Sequence, residues 1–140
     1  DEGALDRVLE RGHGGGIDRV RDLATALLPP HRRGLPPLRL LRYQLLTAVA
    51  GGLAWAKQLE APRALLVIHE FQTNQTSSRN LQRNVQDLDT FVARLTGGEA
   101  LKVTAGSVIG AIRVPGDPLF DKPADLYLAK IVRCVSPPAP

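Results

Sequence analysis

The sequence predicts an α/β domain with a mixed β-sheet and a long, buried central helix, and three observations support this. Residues 38–60 carry apolar side chains around most of a helical circumference, so this helix should be covered on several sides. Residues 64–68 form a continuous apolar run, which is typical of a mid-sheet strand covered on both faces. Residues 81–95 repeat apolar side chains every three or four positions, which indicates an amphipathic surface helix.

The remaining elements are shorter. Two strands are expected at residues 107–114 and 126–133, because each is a short apolar run beside turn-forming residues. Residues 4–11 and 17–28 are expected to form two helices on either side of a glycine-rich breaker. The predicted elements are therefore, in chain order, three helices, a strand, a fourth helix and two strands.

Length and composition fit one globular domain, since the chain has 140 residues of which 44% are apolar and 23% charged. We expect a single α/β domain over residues 1–135 and a disordered tail at residues 136–140. The chain begins at Asp1 and contains no methionine, so we expect a fragment of a larger parent chain. We find neither a run of about 18 apolar residues nor a signal peptide. A cytoplasmic protein without a membrane partner is therefore expected.

A pair of glycines, Gly51 and Gly52, interrupts the predicted central helix. Two glycines cost a helix about 1–2 kcal/mol. We interpret this cost as a sign that another backbone packs closely against the helix at this point.

Polar residues at the end of the predicted strand are the first place to expect chemistry, because ligands of open α/β sheets gather at the carboxyl ends of strands. His69 and Glu70 follow the apolar run directly. Neighbouring strand residues point to opposite faces, so both can enter one site only if the strand has ended. Two other interpretations stay open: a structural hydrogen bond for His69 with Glu70 solvated or paired with an arginine, and a small-molecule enzyme in which His69 is the base.

A second polar cluster stands near the start of the central helix. Arg42 could hold a phosphate or a carboxylate with its two-pronged donor geometry, and Gln44 could orient a ligand. On a helix the two lie about 200° apart, so they serve different surfaces. A structural ion pair for Arg42 and a core-edge hydrogen bond for Gln44 are equally open. Asp87, on the surface helix, is expected to be solvated.

The net charge of +4 and the pI near 9.7 suit a nucleic-acid partner, although the basic excess is mild. The expected contact is a basic connector of Arg32, Arg33 and Arg39 within a proline-rich stretch. An aromatic content of 4% argues against a base-stacking surface. The single cysteine, Cys134, allows neither an internal disulfide nor a cysteine-based zinc site.

Two of these segments, residues 41–46 (LRYQLL) and 66–71 (LVIHEF), are an uncommon pair. Together they resemble the C-terminal portion of an uncharacterised bacterial family of restriction-endonuclease-like proteins related to the PD-(D/E)XK nucleases. The segments at residues 115–116 and 126–128 are also similar to that family. The resemblance covers roughly residues 39–133 and implies a restriction-endonuclease-like fold.

The resemblance implies a metal-dependent nuclease acting on DNA. In such a fold the metal-binding acid and the acid-x-lysine motif precede the central helix, so they would lie in strands upstream of Asp1, and Glu2 would continue the lysine-bearing strand. A Mg²⁺ ion held by two carboxylates would activate water, with Arg42 or Gln44 assisting. The candidate catalytic residues are Glu2, Arg42, Gln44, His69 and Glu70, and the metal ligands stay unassigned.

A competing interpretation is a catalytically silent α/β module that binds nucleic acid or a protein partner. The nuclease interpretation predicts that Glu2, Arg42, Gln44 and His69 converge on one cleft at the sheet edge, whereas the binding module predicts that they are scattered. Another copy of the same chain is a further expected partner.

Overall fold

The computed structural model describes residues 14–114 and 124–135, and within them the chain is α/β, as predicted. The predicted helix at residues 4–11 and the predicted tail at residues 136–140 lie outside the described residues, as does Glu2. None of the described helices is long and apolar enough to cross a membrane. The elements in chain order are α1 (Gly14–Leu27), a 3-10 turn (Leu38–Leu40), α2 (Tyr43–Gln58), β1 (Arg63–Gln72), α3 (Ser78–Leu95), β2 (Val108–Val114) and β3 (Ala124–Cys134).

The sheet is mixed, as predicted, but its strand order differs from the expectation. The order is β1-β3-β2, with β1 parallel to β3 and β2 antiparallel to β3. Among the described residues β1 is therefore an edge strand, and the prediction that the run at residues 64–68 lies mid-sheet was wrong. The central position belongs to β3, where Leu126 and Leu128 are completely buried.

The central helix α2 is shorter and more one-sided than expected. It begins at Tyr43 because Arg42 has an extended backbone, with φ −78° and ψ 119°. One face is buried through residues that include Leu46, Val49 and Leu53, while Trp55 is 63% exposed. The expectation that this helix is covered on several sides was wrong, and only its core-facing stripe is buried.

The surface helix α3 agrees with the prediction at both ends. Ser77 caps its amino end, where the hydroxyl accepts a hydrogen bond from the Asn80 backbone N–H at 3.3 Å. Gly97 and Gly98 follow its last turn with φ of 72° and 99°. Its apolar stripe includes Phe91, which is fully buried. Local capping and periodicity therefore determine this element.

All three helices contribute to one hydrophobic core on the same face of the sheet. Even-numbered residues of β1 and β3 pack against this core, including Leu66 and Leu128, so the described part of the fold has two layers. Arg94, at the carboxyl end of α3, is buried and donates from Nη1 to the Pro29 carbonyl at 2.6 Å. This bond ties the end of α3 to the segment after α1.

The two glycines of α2 have open space where a Cβ atom would stand. The interpretation of close backbone packing was therefore wrong. We expect Gly51→Ala and Gly52→Ala each to raise the free energy of unfolding by about 0.5–1 kcal/mol, because alanine favours the helix and meets no neighbour. Urea denaturation measures the effect. Gly34→Ala is the control and should destabilise, since Gly34 also has open space but a φ of +92°; a loss of stability in either helix variant would contradict the prediction.

Candidate functional site

Strand β1 extends through Gln72, so His69 and Glu70 lie inside it and not on a loop after it. Their side chains point to opposite faces of the sheet, as expected for neighbouring strand residues. Glu70 faces the helix layer, whereas His69 is exposed on the other face with its ring centroid 4.2 Å from that of Phe71. The two residues therefore belong to different surfaces.

Glu70 lies at the centre of a polar cluster between the sheet and α3. Lys130 Nζ lies 3.1 Å from Glu70 Oε2, and Gln72 Nε2 donates to Oε1 at 2.7 Å. Asn84 of α3 adds a side-chain hydrogen bond to Glu70. The side chains of Lys130 and Glu70 are only 7% and 12% exposed. We call these four residues the Glu70 cluster; it links β1, β3 and α3.

The Glu70 cluster holds its carboxylate in the ionised form. Burial by itself raises the pKa of Glu70, but the hydrogen bonds from Gln72 and Lys130, the positive charge of Lys130 and the bond from Asn84 together place it below its ordinary value. Both carboxylate oxygens accept hydrogen bonds. Such a group acts as a structural anion unless its partners move away.

The lowered pKa of Glu70 predicts a specific loss of stability in acid. Because the folded pKa lies below the ordinary value of 4.5, the contribution of Glu70 is complete above that value and is lost as the pH falls through the folded pKa. We expect the difference in free energy of unfolding between wild type and Glu70→Gln to be constant near neutrality and to shrink below about pH 4.5. Urea titrations from pH 7 to 3 measure it; a difference that stays constant throughout would contradict the prediction.

Arg42 forms an ion pair that connects the start of α2 to α3. Its Nε and Nη2 both lie 2.6 Å from Asp87 Oδ2, and each side chain is 24% exposed. Asp87 is thus not solvated, and that expectation was wrong. A structural ion pair was one of the two interpretations of Arg42, but the sequence did not identify the partner because Asp87 is 45 residues away. Gln44, near the start of α2, is exposed.

We expect the Arg42–Asp87 pair to stabilise the fold modestly. A double-mutant cycle of Arg42→Ala and Asp87→Ala should yield a coupling energy of about 1–1.5 kcal/mol, since the pair is partly shielded and forked. Arg39→Ala is the matched control, because Arg39 is exposed and makes no ion pair with the described residues. Its substitution should change the free energy of unfolding by less than about 0.5 kcal/mol. A cycle with no coupling would contradict the structural role.

The three arginines of the basic connector, Arg32, Arg33 and Arg39, are all exposed. None of them makes a hydrogen bond or ion pair through its side chain with a residue that the structure describes. Three unpaired cations close together in sequence give this connector a positive surface that can meet an anionic partner.

The predicted site residues do not form one constellation. Glu70 contacts the helix layer, His69 the opposite face, and Arg42 is paired with Asp87. No group of three His, Cys, Asp or Glu side chains that could hold a metal occurs within residues 14–114 and 124–135. Sequence reasoning missed Lys130, although one clue was present: it is the only cationic residue in the otherwise apolar stretch 126–132.

The face of the sheet opposite the helices is apolar, and no element among residues 14–114 and 124–135 covers it. In the register of β1 and β3, Leu65 lies beside Tyr127, Val67 beside Ala129 and His69 beside Ile131. Leu65 is 59% exposed, Phe71 57% and, on β2, Val108 62%. We call this surface the open face; it consists of Leu65, Val67, His69, Phe71, Val108, Tyr127, Ala129 and Ile131.

The backbone groups along the outer edge of β1 also follow a regular alternation. The Gln72 carbonyl accepts from Val135 N–H at 2.8 Å and the Pro62 carbonyl from Asp125 N–H at 3.4 Å, so even-numbered residues direct their backbone groups towards β3. The odd-numbered residues therefore direct theirs to the outer edge. No proline, glycine or lysine interrupts β1, whereas the opposite edge strand, β2, has a register shift between Ile109 and Ile112.

Comparison with known proteins identifies one family. A family model described as "Domain of unknown function (DUF6946)" matches residues 4–123. No curated protein and no solved structure matches the chain.

Proposed function

The chain belongs to the DUF6946 family, and we propose that it is a non-catalytic interaction module that binds a protein partner through the open face. The observation that carries this proposal is the exposure of large apolar side chains on one face of the sheet. Monomeric proteins seldom leave so large a contiguous apolar patch uncovered, and such patches mark interaction sites.

The patch has about the size of one side of the smallest specific interfaces. With about 150–250 Å² for a fully exposed aromatic side chain and somewhat less for an aliphatic one, the exposed parts of its apolar side chains add up to roughly 600 Å². A standard interface takes about 800 Å² from each partner. At about 25 cal/mol per Å², complete cover of the patch would contribute at most roughly 15 kcal/mol. This is of the same order as the association cost of about 4–15 kcal/mol, so binding requires that a partner cover most of the patch.

Site-specific photo-crosslinking inside cells tests the proposal. A photoreactive residue at position 67 should give a protein adduct, and the same residue at position 85 should not. Val67 and Val85 are 43% and 45% exposed, but Val85 lies on α3, away from the open face. Equal or absent adducts at the two positions would contradict binding through the open face.

A second candidate function is nucleic-acid binding with metal-dependent nuclease activity on DNA in a restriction-endonuclease-like fold. The exposed arginines Arg32, Arg33 and Arg39, whose side chains have no partner among the described residues, support it, because phosphate backbones bind exposed cations. The described residues alone do not fit a Mg²⁺ site, since both Glu70 oxygens already accept hydrogen bonds. The metal ligands of a nuclease would have to come from outside the described residues. For this second candidate function we also propose a cytoplasmic location.

Cleavage and binding assays separate this candidate from the first. A nuclease should cleave DNA or RNA with Mg²⁺ or Mn²⁺, and Arg42→Ala should reduce the rate. A nucleic-acid-binding module should bind DNA with an affinity that falls steeply with salt, and replacing Arg32 and Arg33 with alanine should flatten that dependence. If binding does not depend on salt and no metal-dependent cleavage occurs, neither the nuclease nor the nucleic-acid-binding module is supported.

A further inference from the structure

We infer that the partner on the open face is a second copy of this chain, so that two sheets stack face to face. This inference rests on the proposed function, because it names the occupant of the same face. The described fold has helices on one side of its sheet only. Stacking would create a four-layer dimer of helices, sheet, sheet and helices, with the two sheets about 10 Å apart.

The composition of the open face suits contact with itself. Its centre carries Leu65, Val67 and Ile131, and no acidic or permanently charged side chain stands among them. A partner face must then be apolar over the same length, and the open face of a second copy satisfies this condition. Two copies would together bury roughly 1,200 Å², which is the lower bound of specific interfaces.

Cationic side chains flank the apolar centre of the open face at both ends. Arg133 lies at the carboxyl end of β3. At the other end Arg63 of β1 and Arg113 of β2 lie beside Asp125, whose carboxylate accepts a hydrogen bond from Arg113 at 2.7 Å. Neither end is acidic, so contact between two copies would be confined to the apolar centre, with the arginines at its solvent-exposed rim.

Pairing of two copies through the outer edges of β1 is a different geometry. It would satisfy the free backbone groups of β1 but leave the open face uncovered and double its extent. Stacking removes the apolar surface from water and is for that reason the arrangement we assign.

Analytical ultracentrifugation of the full chain, at protein concentrations from about 1 to 200 μM, measures the oligomeric state and tests the inference. Wild type and Val85→Lys should form a dimer, whereas Val67→Lys should weaken it at least about a hundredfold, because each dimer would bury two unpaired lysines. Circular dichroism and the thermal midpoint show whether Val67→Lys folds as Val85→Lys does. If Val67→Lys is unfolded, Ile131→Lys replaces it on the same face. A dimer that is unaffected by a folded open-face lysine would overturn the inference.

Amide hydrogen exchange distinguishes stacking from edge pairing. The Val67 and His69 N–H groups point to the outer edge of β1, so they should exchange rapidly in a stacked dimer, whereas a strand that adds to β1 would protect them. Protection of these two N–H groups in the dimer would overturn stacking. If the wild-type protein is monomeric at about 200 μM, the inference that the partner is a second copy is wrong. In that case a position-67 adduct with another protein would still support the proposed function.

Discussion

Replacement of Lys130 by methionine is expected to lower the free energy of unfolding by about 3–5 kcal/mol. The substitution removes the cation that lies 3.1 Å from Glu70 Oε2 while leaving the carboxylate 12% exposed. Methionine fills a similar volume, so the loss comes from an unpaired charge and not from a cavity. Gln72 and Asn84 remain as donors to Glu70 but bring no compensating charge.

Urea denaturation at pH 7 measures this loss, and two variants identify its cause. Lys102→Met is the matched control, because Lys102 Nζ lies 3.3 Å from Asp89 Oδ2 but its side chain is 72% exposed. Its cost should not exceed about 1 kcal/mol. The double variant Glu70→Gln with Lys130→Met should recover much of the stability, since it removes both charges. If Lys130→Met costs no more than Lys102→Met, the buried pair is not a major support of the fold.

The elements that were predicted correctly are those determined by neighbouring residues. Helix α3 has its cap at Ser77, its apolar stripe and its terminal glycines within about two dozen residues, so sequence alone locates it. The ion pair of Arg42 and the salt bridge of Lys130 join residues distant in the chain, and no local pattern reports such partners. Charged residues in apolar surroundings were the only available clue to them.

The position of β1 was not predictable for a related reason. A continuous apolar run indicates how much surface a strand should bury, but not which strands lie beside it. The run at residues 64–68 predicts cover on both faces, whereas the described residues cover only one, leaving Leu65 and Val67 exposed. This difference between the expected and the observed burial is an independent reason to expect a partner on the open face.

Replacement of Gly110 by alanine is expected to destabilise the fold by about 3 kcal/mol or more, from backbone strain and overpacking together. Gly110 has a φ of +144°, and a Cβ atom there would lie 2.6 Å from Tyr127 Cδ1 and 2.9 Å from the Leu126 carbonyl oxygen. The Tyr127 ring can turn aside, but the backbone oxygen cannot. The sequence alone gives no sign of this contact, because it depends on the pairing of β2 with β3.

Gly106→Ala is the control for Gly110→Ala, because Gly106 has a φ of +77° but no atom within 4 Å of the point where its Cβ would lie. It should lose only the cost of backbone strain, about 1–2 kcal/mol. Adding Tyr127→Ala to Gly110→Ala should restore little, since the clash with the Leu126 carbonyl remains. Thermal and urea denaturation measure these differences, and equal losses for the two glycine variants would contradict the close approach. Because Tyr127 belongs to the open face, a folded Gly110→Ala protein should also dimerise more weakly than Gly106→Ala.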